Sequence, residues 1–181
     1  MSCNAYGFGS HLPLLAHAFM NTKGPVLECG GGLCSTPVLH ALSQFTEPQR
    51  LVVTGDEQAL WTRELGQAFA NDWHIVRHVA NWKIFLKNMS QDWGLVFVDN
   101  DIPGAVEHYK RRFDVMKLLP TSAVWVVHDT NDERIAKNPW WIERVAESPF
   151  VWTYEACGIE TTLLAQRELP EIGERKWQRR Q

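Results

Sequence analysis

The sequence lacks a marked excess of charge of either sign. Its 18 lysines and arginines oppose 21 aspartates and glutamates, which gives a net charge of −3 over 181 residues. Both signs are scattered along the chain, and the one basic cluster, ERKWQRRQ, covers residues 174–181. Because a broad basic surface is what holds nucleic acid, we do not expect nucleic acid as a partner. The basic cluster itself is typical of a solvated chain end.

Long apolar runs and closely spaced cysteines are also scarce. The most apolar N-terminal stretch, HLPLLAHAFM, has no basic segment before it and is followed by polar NTKG. This pattern argues against a signal peptide and against a membrane span. The four cysteines show neither the CxxC spacing of many metal sites nor the density of a disulfide scaffold. We therefore expect a cytoplasmic protein that has no membrane partner.

Apolar runs alternate with amphipathic stretches along most of the chain, as in βαβ units. Strands are predicted at PVLEC, RLVVTG, HIVRHV, GLVFVD, AVWVVHD, FVWTYEA and TTLLAQ, and helices at 11–21, STPVLHALSQF, 57–70, KIFLKNM, EHYKRRFDVMKLL and WWIERVAES. The last two strands are joined by CGIE, whose glycine permits a hairpin. This order predicts an α/β fold, a Rossmann-like doubly wound mixed sheet of about seven strands with an antiparallel C-terminal strand.

The length fits one domain. We expect an N-terminal helical lid segment over residues 1–23, a Rossmann-like core over 24–168 and a tail over 169–181. No internal repeat or low-complexity linker divides the chain.

The stretch VLECGGGLCSTP places an acidic residue and three glycines directly after the first predicted strand. Glycine inside a strand or helix costs about 0.5–1 kcal/mol relative to alanine, so Gly30, Gly31 and Gly32 need a local reason. A tight turn and the close approach of a ligand to the backbone are the usual reasons. Each of the first five predicted strands ends in polar residues or is followed by them. They are Glu28, Asp56 with Glu57, Asn81, Asp99, and His128 with Asp129.

These motifs, taken in order, resemble those of class I S-adenosylmethionine-dependent methyltransferases. The resemblance is carried by VLECGGGLCST, LVVTGDEQALW, HVANW, LVFVDND and VWVVHDT, together with the closing hairpin, and extends from Gly24 to Ala165. It implies an enzyme that transfers a methyl group from S-adenosylmethionine to a small-molecule or side-chain nucleophile. It does not identify the acceptor.

The resemblance also assigns cofactor contacts near the first strand. Glu28 would hold the ammonium group of S-adenosylmethionine, directly or through water. Gly30, Gly31 and Gly32 would let the cofactor approach the backbone, and the helix that begins near Ser35 would present its positive end to the carboxylate.

The nucleoside contacts follow from the next two strands. Asp56 would accept hydrogen bonds from the ribose hydroxyls, with Glu57 as the competing assignment. Asn81 would meet the adenine amino group, and Trp82 would offer a ring face. Asn81 stands where aspartate is frequent in the family, and Cys34 where a third glycine often stands.

Catalytic residues are expected at the ends of the fourth and fifth strands. His128 or Asp129 would remove the acceptor proton and Asp99 would orient the acceptor, although Asp129 could instead cap the following helix. Asp99 is also expected beside the cofactor, as are Ser10 and His11 from a segment that folds over it. Asp99 and Asp129 could bind a divalent cation, as in catechol-type O-methyltransferases, but Thr130 stands where such sites need Asn or Asp. We therefore predict methyl transfer without a metal.

Two other functions remain open. GGGLCS partly matches the dinucleotide fingerprint G-x-G-x-x-G, which would make the protein an NAD-dependent oxidoreductase, but Ser35 replaces its last small residue. The methyltransferase fold could also serve as a non-catalytic binding or scaffold module. A chain of this length leaves few residues to cover the pocket. We therefore expect that a second subunit could complete the pocket in a homodimer.

Overall fold

A mixed β-sheet organises the chain. The structure, a computed structural model, describes residues 9–89, 91–100, 108–170 and 178–179. The strands are β1 (Val26–Cys29), β2 (Val52–Asp56), β3 (His74–His78), β4 (Leu95–Val98), β5 (Val124–Val127), β6 (Phe150–Ala156), β7 (Ile159–Ala165) and β8 (Gln178–Arg179). The helices are α1 (Leu12–Asn21), α2 (Ser35–Gln44), α3 (Ala59–Phe69), α4 (Trp82–Met89), α5 (His108–Met116), α6 (Glu133–Ala136) and α7 (Pro139–Glu147).

The strand order is β3-β2-β1-β4-β5-β7-β6-β8. Strands β1 to β5 are parallel, whereas β7 runs antiparallel to both β5 and β6. Cys157 and Gly158 form the turn between β6 and β7, both with positive φ (55° and 77°), as a tight two-residue hairpin requires. The predicted mixed sheet with an antiparallel last long strand is confirmed.

Strands β1, β2, β4 and β5 are buried along their whole length, which explains why they read as continuous apolar runs. One core cluster joins the sheet to α1 and α2, and a second joins it to α4, α5 and α7. The strand order reverses between β1 and β4, which places a crevice at their carboxyl ends.

Helix α1 packs in the core, whereas the sequence predicted that its segment forms a lid. Its residues Leu14, Leu15, Ala18 and Phe19 are almost completely buried and belong to one of the two cores. Over Leu12–Asn21 the segment is therefore a core helix, because its apolar face matches the face of the sheet. Residues 1–8 of the predicted lid lie outside the described residues.

Two short elements were not predicted. Helix α6 has only four residues, too few for a periodic pattern, and depends on its cap, Asp132, whose side chain accepts a hydrogen bond from the Arg134 backbone. The expected tail begins with the buried Leu169, and its strand β8 pairs with β6. The rest of the basic cluster, 174–177 and 180–181, lies outside the described residues. Among the helices that the structure describes, none is long and apolar enough to cross a membrane.

Candidate functional site

The glycine turn after β1 is packed against the end of β4. Gly30 has a φ of +92°, and a Cβ there would lie 2.6 Å from the Cα of Asn100. At Gly31 a Cβ would collide with the Leu65 side chain, and at Gly32 it would lie 2.9 Å from the Ser35 hydroxyl. The fold itself therefore requires glycine at Gly30, where the close atoms are backbone, whereas at Gly31 the Leu65 side chain would have to move. The sequence had suggested ligand approach as an equal reason.

The N–H groups of the three glycines are engaged inside the protein. Gly30 donates to the Gly55 carbonyl (2.8 Å), Gly31 to Asp56 Oδ2 (3.1 Å) and Gly32 to Thr36 Oγ1 (3.0 Å). Helix α2 begins at Ser35 and has no side-chain cap at Cys34, but the Thr36 N–H donates to the Gly32 carbonyl (3.3 Å) and Pro37 has no N–H. The donor that this first turn offers to an anion is therefore the Ser35 N–H. The carboxylate contact that the resemblance implies would therefore fall at the start of this helix.

Glu28 lies buried in the middle of β1. Its Oε2 accepts hydrogen bonds from Thr54 (2.6 Å) and Thr36 (2.9 Å), while Oε1 has no hydrogen-bond partner among the described residues. Burial raises the pKa of Glu28 to about 7, although the nearby hydroxyls of Ser35, Thr54 and Thr36 oppose this rise. An unpartnered carboxylate oxygen in a buried position is costly unless a cation or a donor reaches it.

Asp56 lies next to the glycine turn. Its two oxygens accept from the backbone N–H groups of Gln58 (2.7 Å) and Gly31 (3.1 Å). Burial raises the pKa of Asp56, and those two hydrogen bonds work against the rise. The end of β2 therefore holds a carboxylate against the backbone of Gly31.

Glu57 follows Asp56 and lines a cleft of about 330 Å³ together with Asn81 and Trp82. Its carboxylate accepts hydrogen bonds from Trp82 Nε1 and from Arg111, both at 2.8 Å. Asn81 caps α4 through the Ile84 N–H (3.1 Å). Most of the Trp82 ring packs in the core against Gly55 and Phe85, so only part of it borders the cleft.

The ends of β4 and β5 bring together two carboxylates, one imidazole and one guanidinium. His128 Nδ1 lies 3.3 Å from Asp99 Oδ2 and 3.6 Å from Asp129 Oδ1. Arg112, which is fully buried, donates to Asp99 Oδ1 (3.0 Å) and to the His128 carbonyl (2.9 Å). On its other ring nitrogen, Nε2, His128 meets the Ser10 hydroxyl at 2.7 Å.

The charges in this cluster stabilise each other. Burial lowers the pKa of His128, but contact with Asp99 and the negative charges of Asp99 and Asp129 outweigh it and raise the pKa overall. Burial raises the pKa of Asp99, yet His128 and Arg112 together leave it below the usual value. His128 is therefore more readily protonated here than a free imidazole is.

Asp129 reaches the cluster because its backbone is unusual. Its φ of 57° lies in the left-handed region, which interrupts the alternation of the strand and lets His128 and Asp129 both approach Asp99. The alternative role of Asp129 as a helix cap is wrong, because Asp132 caps α6. Non-glycine residues with positive φ are enriched at functional sites.

The residues after Asp129 turn away from Asp99. The Thr130 hydroxyl contacts Glu160 and Thr162, and the Asn131 side chain bonds the hairpin backbone at Gly158. They therefore do not extend the Asp99–Asp129 pair into the oxygen site of catechol-type enzymes, and the Arg112 cation already contacts both carboxylates.

Ser10 and His11 approach the same cluster from the start of α1. Both are almost completely buried, and the His11 ring lies 4.8 Å from the rings of Phe97 and His128. Neither ring nitrogen of His11 has a hydrogen-bond partner among the described residues. Burial, followed by the neighbouring His128, lowers the pKa of His11 to about 4, so its ring is neutral at physiological pH. Both residues thus lie beside the catalytic candidates.

Two residues of the site were missed in the sequence. Arg112 was part of an unremarkable basic run, but its spacing to the buried Val115 and Met116 places it on the inner face of α5 and could have revealed it. Asn100 follows Asp99 and is buried, and its side-chain amide has no partner among the described residues. Polar VDND after an apolar strand was the available signal.

Solved structures of methyltransferases resemble this chain. An O-methyltransferase from Bacillus cereus in complex with SAH is 17% identical with a TM-score of 0.53, covering 88% of this chain and 80% of its own. The O-methyltransferase TomG from Streptomyces achromogenes, in complex with SAM, is 20% identical with a TM-score of 0.53, covering 90% and 80%. The N-methyltransferase NodS from Bradyrhizobium japonicum, in complex with SAH, is 13% identical with a TM-score of 0.51, covering 87% and 86%.

No protein-family model and no curated protein matches the chain. The structural similarities extend over most of each chain, whereas the identities are low. The chain therefore shares the fold of these methyltransferases, and the resemblance inferred from its motifs is confirmed at the level of the fold.

Proposed function

We propose that this protein binds S-adenosylmethionine and transfers its methyl group to a small-molecule or side-chain nucleophile. The proposal rests on one observation: the glycine turn with Glu28 and the cluster of Asp99 and His128 lie side by side at the crevice. The glycine turn beside Glu28 packs on the backbone at Asp99 and Asn100, and Asp99 in turn contacts His128. A cofactor site and a proton-accepting site are thus adjacent.

The residues fit the charged groups of S-adenosylmethionine. Glu28 Oε1 is a buried acceptor that has no protein partner among the described residues. It can therefore accept a hydrogen bond from the ammonium group of the cofactor or from a bound water. The uncapped start of α2 suits a carboxylate, since helix N-termini favour anions. Asp56, beside Gly31, is our assignment for the ribose hydroxyls, and the cleft lined by Glu57, Asn81 and Trp82 is our assignment for the adenine.

When bound, S-adenosylmethionine supplies a methyl group on a positively charged sulfur, an activated donor. The protein must then position the acceptor and remove its proton. His128 is our candidate base. Asp99 holds the Nδ1 side of the ring, and Nε2, which contacts the Ser10 hydroxyl, would take the acceptor proton when the acceptor replaces that contact. Asp129 adds negative charge near the ring and supports the protonated form. Arg112 keeps Asp99 in place.

Binding is tested by isothermal titration of the full chain with S-adenosylmethionine and, separately, with NAD. We expect S-adenosylmethionine to bind, and Glu28→Gln to weaken it by about tenfold or more through loss of a charged hydrogen bond. Glu155→Gln, on the exposed side of β6, is the matched control. Binding of NAD alone would contradict the proposal; the antiparallel β7 already argues against a dinucleotide fold, whose sheet is mostly parallel.

Turnover is tested by incubating the protein with labelled S-adenosylmethionine and pools of small nucleophiles, followed by mass spectrometry of the methylated product. Transfer that depends on His128 would support the enzyme. Binding without transfer to any acceptor would favour the non-catalytic binding module. Light scattering of the same sample would show whether a homodimer forms.

A further inference from the structure

We infer that His11, Asp99 and His128 form a binding site for one divalent transition-metal ion. One ligand atom from each of the three residues lies within 4.8 Å of the others. Two imidazoles and one carboxylate on one side of an ion are an established ligand set for transition metals in proteins. The site differs from the Asp99–Asp129 pair considered in the sequence, and methyl transfer by His128 does not require it.

Unpartnered nitrogen atoms are the first observation behind this inference. Both ring nitrogens of His11 are buried and lack hydrogen-bond partners among the described residues, and the buried Nδ1 of His128 faces the carboxylates of Asp99 (3.3 Å) and Asp129 (3.6 Å). His11 is only 2% exposed, so water does not reach it freely. Buried polar atoms are nearly always satisfied, and a metal ion would satisfy one of the two His11 nitrogens.

The hydrogen bonds around the three residues are the second observation. The Ser10 hydroxyl contacts His128 Nε2 at 2.7 Å, which leaves Nδ1 as the nitrogen that faces Asp99 Oδ2. Arg112 contacts the other oxygen of Asp99, Oδ1, at 3.0 Å and so orients that carboxylate. Metal ligands in proteins are usually held by such contacts on their far sides.

The donor set and the local charge indicate which ions fit. Imidazole nitrogens favour Zn²⁺, Fe²⁺, Co²⁺ or Ni²⁺, whereas Mg²⁺ prefers oxygen ligands. Asp99 and Asp129 bring two negative charges and Arg112 one positive charge. The cluster therefore has negative charge left over, which either a proton on His128 or a metal ion can neutralise.

A metal ion would change what His128 can do. An imidazole that binds a metal through Nδ1 is held in one tautomer, with its proton on Nε2, and is no longer a free base. If His128 is the base of the proposed function, on which this step rests, metal binding inhibits methyl transfer and a chelator restores it.

The binding test uses the full chain and Co²⁺, whose visible absorption reports its ligands, with Zn²⁺ competition and calorimetry for stoichiometry. We expect one ion per chain. His11→Ala should weaken binding by at least about tenfold, because removing a residue that only supports a metal ligand already costs that much. His40→Ala is the matched control, since it removes the other close histidine pair, His40–His74. It should bind Co²⁺ as the wild type does.

Further measurements keep the inference testable if His11→Ala does not fold. His128→Gln, which keeps a side chain of similar size, should also lose binding. In wild-type protein, Co²⁺ should shift the NMR signals of two imidazole rings. Absence of stoichiometric binding, unchanged affinity in both variants, or loss of binding in His40→Ala would overturn the inference. Binding of S-adenosylmethionine is measured separately, so failure of the methyltransferase proposal would leave this result interpretable.

Discussion

Replacing Glu28 by glutamine should remove a pH dependence from the stability of the protein. The carboxyl is fully buried, and its pKa is raised from the usual 4.5 to about 7 by burial. The folded protein therefore binds this proton more tightly than the unfolded chain does. The stabilisation that results is fully present below pH 4.5 and is lost as the pH rises through about 7.

The size of the effect follows from that interval. One pH unit of difference in pKa corresponds to about 1.4 kcal/mol. Between pH 5 and pH 8 the wild type should lose about 2.5 kcal/mol of unfolding free energy that Glu28→Gln does not lose. The measured quantity is the change in unfolding free energy between pH 5 and pH 8 in the wild type minus the same change in Glu28→Gln. Constant effects of the substitution, such as an unpaired amide, cancel.

The assay is urea unfolding of both proteins at pH 5 and pH 8, followed by circular dichroism, with the slope m checked for equality. Parallel changes of stability in the two proteins would refute the raised pKa of Glu28 and the inference that its Oε1 is unsatisfied without a ligand. Saturating S-adenosylmethionine should reduce the loss at pH 8 in the wild type, since a bound cation favours the ionised carboxyl.

Three further predictions concern the cluster and its neighbours. His128→Gln should reduce turnover about 10²- to 10⁴-fold in a methyl-transfer assay while calorimetry shows unchanged cofactor affinity; equal turnover would exclude it as the base. Arg112→Met should raise the pKa of both Asp99 and His128 in NMR titrations, because a cation beside both is removed; unchanged values would contradict the ion pairs. Asp132→Ala should cost about 1 kcal/mol in urea unfolding through loss of the α6 cap, whereas no loss would show that the cap contributes nothing.

Local patterns predicted the sheet because each strand carries its own signal. Parallel strands buried on both faces read as apolar runs, and the CGIE segment supplies the positive-φ residues of the hairpin. Polar residues at the strand ends could be found for the same reason, since they follow those runs directly. Helix α6 could not be found, because its only signal is the single cap at Asp132.

Contacts between distant segments were harder to predict. Ser10 lies 118 positions before His128 in the chain, and Arg112 lies 13 positions after Asp99 and 16 before His128. His11 was expected near the site through the family resemblance of its segment, not through a local pattern that sets it apart from His17, which bonds Asn21 on the same helix. Whether α1 is a lid or a core helix depends on the face of the sheet that it meets, and that face is fixed by the rest of the chain.

The glycines of the turn after β1 are explained by packing within the protein as well as by a ligand. Three glycines after a strand suggest a ligand near the backbone. Gly30, however, must be glycine because the backbone at the end of β4 packs against it, and at Gly31 a larger residue would displace the Leu65 side chain. Their N–H groups are already engaged. The glycines alone therefore do not require a cofactor. A cofactor is indicated instead by Glu28 Oε1, which has no hydrogen-bond partner among the described residues, and by the Ser35 N–H at the uncapped start of α2.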